Sequence, residues 1–454
     1  MEINEPRKYN NMNELYDILK NKNLPSSIVI QPVKKFKKKI IKKYPNIFFG
    51  KIKLNKTQID VVVKEIDIFN FRVEEIIVHL ISSEIIPADR PYRDTYLNEG
   101  CEFIVKFYGC YQEKNCICIV LENAKYNFDQ FCKLHNESCD KVDKLRLFHE
   151  VAKGLKFLHS NNIAHMDIST KNILIDKNGN ARLSDFGEAE INIINSTIKY
   201  RQNHRQTIGY GGFKNAYNMS DRKINPFFID ICSIGKVFIK ILLDIEADNQ
   251  EEGTLVASLN TAKEIGTVTD AEVELVLFFL ESSKKRCDIT AICSNPVFWQ
   301  HEKTYKFLEK VYLYYTRHTS DDELLHAISS KIMSKIIPGE KSWQSFVQRE
   351  ISEEIKKFNN LDRAKIEFSS VFGLVKAIIY IRCPDTIIRS KTTAQNVFAN
   401  SRKILLADEN HVETYLKSWT NIFKNIDLYL YYFMQDELEE TNSEFYSINS
   451  PSRY

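Results

Sequence analysis

The sequence predicts an α+β protein in which a small β-rich part is followed by a long helical part. Between about residues 44 and 132, apolar and often β-branched residues alternate with polar ones at a period of two, as in strands. From about residue 141 the apolar residues recur at helical spacing. After about residue 225 this spacing extends over almost the whole chain. No internal repeat is present, so a repeat architecture is not predicted.

Within the β-rich part, four segments predict strands and one predicts a helix. The strands are expected at residues 46–54, 58–67, 101–109 and 115–122, and the helix at residues 73–85. The helical part begins with a helix expected at residues 145–162, where leucine and valine side chains share one face. After this helix, the short apolar segments 172–175 and 181–186 predict a hairpin. A small sheet carrying one helix is therefore expected to precede the helices.

Composition and charge describe an ordinary soluble chain. With 454 residues, 27% charged and 43% hydrophobic, the chain is long enough for two to four domains of roughly 100–200 residues each. Lysine and arginine total 63 against 60 acidic residues, so the net charge of +3 gives no whole-chain field for nucleic acid. Collagen-like, disordered and disulfide-scaffold proteins are excluded.

Cysteine placement and hydropathy predict a reduced protein without a membrane span. The 10 cysteines are scattered, mostly in apolar runs, with no CxxC pair and no zinc spacing, which indicates free thiols. The N-terminus lacks the apolar core of a secretory signal. Asp230, Lys236 and Lys240 interrupt the most apolar stretch, residues 227–243. A cytoplasmic location with no transmembrane segment is therefore expected.

The first 43 residues are polar and rich in lysine, with seven lysines between Lys34 and Lys43. This run has two functional interpretations, a nuclear-import signal and a contact with an anionic surface. It is also typical of a solvated strand or linker before a sheet, and this interpretation is favoured because lysine runs are common. A nuclear location stays open through the first interpretation.

One segment contains side chains of the types that a phosphoryl transfer requires. It runs from His165 to Ala189, HMDISTKNILIDKNGNARLSDFGEA. It contains Asp167, then Asn172 five residues later, and Asp185 in a DFG triplet. Transfer of a γ-phosphoryl group needs one carboxylate that orients the attacking hydroxyl and accepts its proton. It also needs an amide and a second carboxylate that hold Mg²⁺. The three residues fit these roles, with Asp167 as the base and Asn172 and Asp185 as metal ligands.

These motifs, together with Lys64 at the end of the upstream VVVK run, resemble the protein kinase family. The resemblance implies a bilobal fold with a β-rich N-lobe and a helical C-lobe. It implies ATP and Mg²⁺ as cofactors and a protein substrate that accepts phosphate on serine or threonine. It also implies that Lys64 grips the α- and β-phosphates and pairs with a carboxylate of the next helix, for which Glu75 is preferred over Glu74.

The same resemblance assigns the remaining nucleotide contacts. Val62 takes the family's alanine position and would press on the adenine, and the backbone of Glu122 and Ala124 would face the adenine from the hinge. The family's glycine-rich lid, GxGxxG, is reduced to Gly50, because a proline and an isoleucine occupy the earlier glycine positions. Since backbone N–H groups approach phosphate closely only where side chains are absent, this lid is expected to hold nucleotide less tightly.

The catalytic loop and the segment after DFG depart from the family pattern. Met166 replaces the loop arginine, and Ser169 replaces the lysine expected two residues after the base. Lys171, four residues after the base, is expected to supply that catalytic charge instead, in an arrangement that resembles the arginine of tyrosine kinases. The APE motif is missing, so Arg286 would lack its usual glutamate, whereas Asp230 keeps the position that supports the catalytic loop.

Residues 295–311, NPVFWQHEKTYKFLEKV, contain more than the end of a kinase domain. They resemble the junction HPFFW-x-x-E-K in the family of the inositol-requiring enzyme and ribonuclease L, where a helical kinase-extension nuclease (KEN) domain follows directly. Helical periodicity over residues 322–333, 341–358, 371–382 and 419–435 agrees with such an all-α domain. The resemblance covers about residues 44–435 and implies a kinase domain at 44–299 and a ribonuclease-like KEN domain at 300–435. These limits leave a polar, lysine-rich segment at 1–43 and a tail at 436–454.

The nuclease residues of that family are only partly present. The family's chemistry uses a tyrosine and a histidine as base and acid, with an arginine and an asparagine near the developing charge. In the matching stretch, different residues stand at the tyrosine, aspartate, arginine and asparagine positions: Phe368 or Ile366, Gly373, Ile379 and Tyr380. A shifted register would place Arg382 at the arginine, and Tyr415 resembles a later family tyrosine. These two are the candidates for a residual nuclease site in a domain that has otherwise lost its activity.

Three functions stay open at this point. The favoured one is an ATP-binding serine/threonine-type protein kinase fused to a KEN domain with a degenerate nuclease site. The second is a nucleotide-sensing pseudokinase, in which nucleotide binding stabilises a homodimer. The third is a kinase-gated endoribonuclease acting on RNA through Arg382 and Tyr415, with His411 as a further candidate. The family resemblance implies a homodimer, and RNA is the less favoured partner.

Overall fold

A computed structural model describes residues 29–35, 46–54, 57–83, 101–134, 141–191, 226–243, 252–265, 267–281, 289–299, 349–361 and 366–382, with short stretches between 303 and 344. The chain divides into two units. The first is formed by Met1–Ile265 with Leu275–Cys293, and the second by Gly266–Glu274 with Ser294–Tyr454. The four domain limits drawn from the sequence stay predictions.

The β-rich part is a five-stranded antiparallel sheet. Its strands are β1 (Lys34–Lys35), β2 (Ile47–Leu54), β3 (Thr57–Asp67), β4 (Phe107–Glu113) and β5 (Cys116–Glu122). Their spatial order is β1-β2-β3-β5-β4. The strands predicted at 46–54, 58–67 and 115–122 match β2, β3 and β5 to within one residue at each end. The period-two pattern is strong in these segments because one face of each strand is buried.

The strand predicted at residues 101–109 begins later than expected. Cys101–Phe103 form a 3₁₀ turn, and β4 starts only at Phe107. In between, Ile104 bridges Leu183 and the main-chain N of Val105 donates to the Leu183 carbonyl at 2.9 Å. The backbone of this apolar segment therefore pairs with the helical lobe before it enters the sheet, which the alternation of side chains does not reveal.

Strand β3 presents different chemistry on its two faces. Its residues Val61 and Val63 are fully buried in an apolar cluster with four other residues, Val33, Tyr111, Cys118 and Val120. Because successive strand residues point to opposite faces, Val62 and Lys64 point away from that cluster. The sheet thus buries its valines on one side and offers Lys64 on the other.

Gly50 lies inside β2, paired with Lys35 of β1 and Val61 of β3. Its assignment to a phosphate lid stays a prediction. A Cβ atom on Gly50 would lie 2.5 Å from Cγ1 of Val33, so the absent side chain makes room for the segment before β1. Lys34 and Lys35 belong to the sheet edge, which agrees with the structural interpretation of the lysine run for these two residues, and residues 36–43 lie outside the described part.

Helix α1 (Val73–Ser82) begins with the acidic residues Glu74 and Glu75, which favour a helix N-terminus. Its next residues are buried almost without interruption, from Ile76 to Ile81. The ring of His79 stacks on Phe107 of β4 at a centroid distance of 5.2 Å. Most of the helix surface is thus buried among other side chains, and this packing fixes the position of Glu75.

The next helices of the chain are α2 (Phe128–Leu134), α3 (Lys141–Ser160), α4 (Pro226–Leu243), α5 (Glu252–Glu264), α6 (Asp270–Glu281) and α7 (Ile289–Ser294). The first unit includes α2 to α5, α6 from Leu275 onward and α7 up to Cys293. In its core, Phe148 of α3 packs on Phe238 of α4 with ring centroids 4.5 Å apart. Phe279 of α6 lies 6.0 Å from Phe238. Gly235 permits this approach, because its Cβ would lie only 2.7 Å from that of Phe279. These large buried rings hold the helices together.

Short strands join the helices to the site. The predicted hairpin is present as β8 (Ile173–Ile175) and β9 (Ala181–Leu183), with β6 (Tyr126–Asn127) paired to β8. The strand before this hairpin, β7 (Ile163–Ala164), pairs with the strand after it, β10 (Glu190–Ile191). The loop from β7 to β8 contains Asp167 and Asn172, and the segment from β9 to β10 contains Asp185.

The described helices of the second unit include α8 (Arg349–Leu361) and α9 (Val371–Arg382). The prediction for 371–382 is met, and the described helix in the region predicted at 341–358 begins at Arg349. Asn359 fixes the turn between α8 and α9, because its side chain accepts from the Ile366 main-chain N at 2.7 Å and donates to the Ile366 carbonyl at 2.8 Å. The helices predicted at 322–333 and 419–435 lie outside the described residues.

Two sequence predictions concern the whole chain. Among the residues that the structure describes, none of the helices is long and apolar enough to cross a membrane. The seven cysteines within the same ranges are all free thiols.

Candidate functional site

The site is centred on the ammonium group of Lys64. Its Nζ lies 2.6 Å from Glu75 Oε1 and 2.7 Å from Asp185 Oδ1, so one cation joins two carboxylates. The lysine comes from β3, the glutamate from the first turn of α1 and the aspartate from the segment after β9. The Glu75 side chain is 3% exposed and that of Asp185 is 49% exposed. The group is therefore closed on the helix side and open to solvent on the aspartate side.

Local structure explains how Asp185 reaches the lysine. Asp185 has a φ of 64°, a left-handed backbone conformation that few non-glycine residues adopt. The next residue, Phe186, is fully buried, so the chain must turn sharply between an open carboxylate and a core ring. Strain of this kind persists where the surrounding packing imposes it, and it is concentrated at functional sites.

The charges of Lys64 and Asp185 stabilise each other, whereas burial outweighs the charge of Lys64 and raises the pKa of Glu75. Burial alone would lower the pKa of Lys64, but the attraction of Glu75 and Asp185 outweighs it and holds that pKa above its usual range. Burial would likewise raise the pKa of Asp185, but the charge of Lys64 holds it below its usual range. The lysine and the aspartate are therefore both charged at neutral pH.

Asp167 and Asn172 lie together in the loop between β7 and β8. Asn172 Nδ2 donates to the main-chain oxygen and to Oδ2 of Asp167, each at 2.8 Å. The Asn172 carbonyl in turn accepts from the main-chain N of Ser184 at 2.9 Å and from its Oγ at 2.8 Å. Because Ser184 directly precedes Asp185, the loop with the predicted base is fastened to the segment with the predicted metal ligand.

A buried aspartate holds the start of this loop. Asp230 of α4 is fully buried, and its two carboxylate oxygens accept from the main-chain N of His165 and of Met166, each at 2.7 Å. Met166 has a φ of 66°, and its side chain is buried in an apolar cluster instead of offering the charge of the family's arginine. The two charge-assisted hydrogen bonds stabilise this unfavourable backbone conformation.

Four buried rings pack in a row behind the charged group. His79 of α1 stacks on Phe107 and meets Phe186 edge-on at 5.1 Å, and Phe186 lies 5.1 Å from the ring of His165. Burial, assisted by the charge of Lys64, lowers the pKa of His79 to about 3. The row joins the helix with Glu75, the sheet, the DFG segment and the catalytic loop in one apolar contact.

The predicted adenine contacts lie at the end of β5. The main-chain N of Glu122 donates to the Lys106 carbonyl at 2.9 Å, and its Oε1 accepts from the main-chain N of Lys106 at 2.8 Å. These bonds hold the strand end from which Glu122 and Ala124 would contact a nucleotide. Val62 lies on the same face of β3 as Lys64, as its predicted position against the adenine requires.

Other predicted residues are not part of this assembly. Lys171 has an exposed side chain, and no described contact joins it to the Lys64 group. Ser169, at the family's lysine position, is fully buried, and its Oγ has no hydrogen-bond partner among the described residues. In the second unit, Arg382 is the last residue of α9. Tyr415 and Arg286 lie outside the described residues.

The donor set fits a magnesium ion. Asn172 and Asp185 provide an amide oxygen and a carboxylate, which are the hard ligands that Mg²⁺ prefers. The amide nitrogen of Asn172 is directed to Asp167, so Oδ1 is the atom of that side chain suited to a cation. With the Asp185 side chain 49% exposed, a partly hydrated ion carried by a nucleotide could reach it.

Sequence reasoning missed Arg72, the residue before α1. Its guanidinium donates to the carbonyls of Gly187 and Ala189 at 3.0 and 2.9 Å, in the segment that follows Asp185. One signal could have singled it out. A positive charge at a helix N-terminus interacts unfavourably with the helix dipole. An arginine at this position is therefore expected to have a partner outside the helix.

Comparison with known proteins agrees with this geometry. Residues 93–274 match the family model of the protein kinase domain. The chain contains a protein kinase domain. The matched range includes Asp167, Asn172 and Asp185, and it begins after Lys64 and Glu75.

Individual relatives match over shorter ranges. Serine/threonine-protein kinase dst4 of Dictyostelium discoideum is 33% identical over 105 residues, which are 22% of this chain and 21% of that protein. The probable serine/threonine protein kinase IREH1 of Arabidopsis thaliana is 32% identical over 106 residues, 23% of this chain and 8% of the relative. For 3-phosphoinositide-dependent protein kinase B of Dictyostelium discoideum, the identity is 30% over 146 residues, 31% of this chain and 15% of the relative. The chain thus spans about a fifth or less of the length of these relatives, and their names describe kinases without naming a nuclease.

Proposed function

We propose that this chain is an active serine/threonine protein kinase that transfers the γ-phosphoryl group of ATP to a hydroxyl of a protein substrate. The observation that carries the proposal is the meeting of Glu75 and Asp185 at the ammonium group of Lys64, at 2.6 and 2.7 Å. A lysine held in this way keeps its charge and a fixed direction, as the binding of nucleotide phosphates requires.

The residues of the chain divide the work of the transfer. Lys64, directed by Glu75, would bind the phosphates of the nucleotide. Asp167, oriented by two hydrogen bonds from Asn172, would accept the proton of the attacking hydroxyl. When bound through Asn172 and Asp185, Mg²⁺ would neutralise phosphate charge. Lys171 would add positive charge near the transferred group from its exposed position.

Replacing the proposed base tests this function. In Asp167→Asn, we expect phosphate transfer to fall by roughly 10²–10⁴-fold, because a general base is lost. The affinity for Mg·ATP should stay nearly unchanged, since the groups that bind phosphate remain. Transfer is measured with radiolabelled ATP and a peptide library, and nucleotide binding by thermal shift.

The matched control is Asp60→Asn, which removes a carboxylate that is 66% exposed and pairs with Lys51 on the sheet. This variant should transfer phosphate like the wild type. Wild-type protein that binds Mg·ATP without any transfer would favour the pseudokinase, in which the nucleotide promotes a homodimer. Equal transfer by wild type and Asp167→Asn would contradict the proposed role of the base.

We further propose that the helical second unit is a KEN-like domain without ribonuclease activity. At the position of the family's helix aspartate, a Cβ on Gly373 would lie 2.0 Å from the Glu367 main-chain oxygen. This position cannot accept any side chain unless the backbone moves. At one candidate tyrosine position, Ile366 is 1% exposed, which suits an apolar side chain. Both observations support a site that has lost the residues for concerted acid–base cleavage.

The preparations used for phosphate transfer also serve to test for cleavage of a stem-loop RNA in the absence of metal. We expect no cleavage by the wild type. Cleavage that is lost in Arg382→Ala or Tyr415→Phe would instead favour the kinase-gated endoribonuclease.

A further inference from the structure

Arg72 connects the helix that contains Glu75 to the segment that contains Asp185. It is the last residue before α1 and has an extended backbone, with φ −108° and ψ 129°. From there its side chain crosses to the residues after the DFG triplet, where it donates to the carbonyls of Gly187 and Ala189. The contact spans 115 and 117 residues of sequence.

The chemistry of this contact suits arginine and not lysine. The two acceptors are main-chain oxygens of residues that are two positions apart, and the guanidinium reaches them with separate nitrogens, Nη1 at 3.0 Å and Nη2 at 2.9 Å. A planar fork of donors reaches the two carbonyls with two different nitrogens, whereas an ammonium group would have to bring its single nitrogen within hydrogen-bond distance of both. The contact therefore depends on the shape of the side chain as well as on its charge.

Three glutamates surround the guanidinium and balance its charge. The distances to their carboxylate oxygens are 3.2, 3.5 and 3.6 Å for Glu190, Glu74 and Glu188. The Arg72 side chain is only 20% exposed, so this arrangement is largely shielded from solvent. The negative charge of the glutamates stabilises a cation at this position. The hydrogen bonds to the two carbonyls define where that cation lies.

The contact extends to the catalytic loop. The segment held by Arg72 continues into β10, whose residues Glu190 and Ile191 pair with Ala164 and Ile163 of β7. Strand β7 ends directly before His165, at the start of the loop with Asp167. A displacement of α1 away from the DFG segment would therefore disturb both the Lys64 group and the loop beside it.

We propose that Arg72 is a positioning residue of the phosphate-transfer site, which holds α1 against the DFG segment so that Glu75 meets Lys64. The inference rests on the proposed kinase function for its effect on turnover. Its effect on the helix is a property of the folded chain alone. Arg72 itself would touch neither nucleotide nor protein substrate.

The experiment compares the full-length wild type with Arg72→Ala, Arg72→Lys and Arg146→Ala. The last is a matched control, because Arg146 also binds a carboxylate and a main-chain carbonyl, Glu150 Oε1 at 2.5 Å and Gly179 O at 3.1 Å, away from the site. Each protein is measured by hydrogen exchange of the amides of residues 73–82 and by kcat and KM for Mg·ATP.

In Arg72→Ala we expect exchange in α1 to become about 10-fold faster and kcat to fall by roughly 10–100-fold, as misplaced catalytic groups produce. The KM for Mg·ATP should change much less than kcat, since the end of β5 is untouched. Arg72→Lys should recover only part of the loss, and Arg146→Ala should match the wild type in both measurements.

Two results would overturn the inference. One is α1 exchange and kcat in Arg72→Ala equal to those of the wild type, and the other is complete recovery by Arg72→Lys, which would leave charge as the only requirement. If the alanine variant does not fold, the lysine variant provides the same comparison. Should the wild type transfer no phosphate, the proposed kinase function fails, and the exchange in α1 still decides whether Arg72 holds the helix.

Discussion

Two lysines of the same sheet each bridge two carboxylates, and the comparison between them shows what marks a functional site. The Lys64 cluster consists of Lys64, Glu75 and Asp185, and the Lys35 cluster of Lys35, Glu65 and Glu113. Both lysine side chains are 16% exposed. The more open carboxylate is 49% exposed in the Lys64 cluster and 47% exposed in the Lys35 cluster. Charge, and the exposure of the lysine and of the more open carboxylate, therefore do not distinguish the two, whereas the other carboxylate is 3% exposed at Glu75 and 25% exposed at Glu65.

The clusters differ in the elements that they join. The Lys35 cluster lies within one sheet, on β1, β3 and β4, and its ammonium also lies over the rings of Phe48 and Tyr111 at 5.5 and 5.7 Å. The Lys64 cluster joins a strand, a helix and the segment after β9, and its member Asp185 has a left-handed backbone. An ion cluster inside one sheet stabilises that sheet, whereas one that joins separate elements through a strained residue can position a ligand.

The largest expected difference between the clusters is in phosphate transfer. Lys64→Met should lower transfer by about 10²–10³-fold, because a charge that stabilises the transferred phosphate is lost. Lys35→Met should leave transfer per folded molecule nearly unchanged. Instead it should lower the free energy of unfolding by about 1–3 kcal/mol, since Glu65 and Glu113 would face each other without a cation. Steady-state transfer and urea unfolding of both variants measure these effects, and a loss of transfer in Lys35→Met as large as that in Lys64→Met would remove the distinction.

A smaller effect is expected from the buried ring of His79 behind the Lys64 cluster, whose pKa is lowered mainly by burial and further by the charge of Lys64. The pKa of His79 is about 3 in the folded protein and about 6.5 for the unperturbed side chain. As the pH falls below about 6.5, the unfolded chain therefore takes up a proton that the folded chain does not, and stability decreases. The expected decrease is about 2 kcal/mol between pH 7 and pH 5.

Urea unfolding of wild type and His79→Leu at pH 7, 6 and 5 tests this effect. The leucine variant keeps an apolar side chain in the ring row but has no titrating group. Its free energy of unfolding should therefore fall less steeply with decreasing pH, because its unfolding takes up about one proton fewer than that of the wild type. Parallel pH profiles for the two proteins would mean that His79 does not contribute to the acid sensitivity.

Local sequence patterns were sufficient to predict most of the sheet and the members of the Lys64 cluster. Strand β3 has a long β-branched run with Lys64 near its end, and the helix with Glu75 follows after a short turn, so both positions are set by local structure. Asp185 was found because its triplet stands at a fixed distance from Asp167. The bonds that fasten these residues together, such as that from Ser184 to Asn172, were not visible as a pattern.

The Lys35 cluster could not be predicted, because its contacts join residues 30 and 78 positions apart without a motif. Strand β1 has two residues, which is too short for a period to be recognised. Arg72 was missed because two of its hydrogen bonds go to main-chain oxygens 115 and 117 residues away, which no residue type encodes.

We propose that Lys64, Glu75 and Asp185 form the site of a magnesium-bound triphosphate. Calorimetric titration of ATP into the wild type, Asp185→Asn and Glu113→Gln, each with and without Mg²⁺, tests this proposal. Wild type and Glu113→Gln should bind ATP at least about 10-fold more tightly with Mg²⁺ than without it, and Asp185→Asn should show no such difference. The same magnesium dependence in all three proteins, or no binding of ATP by the wild type, would contradict the proposal.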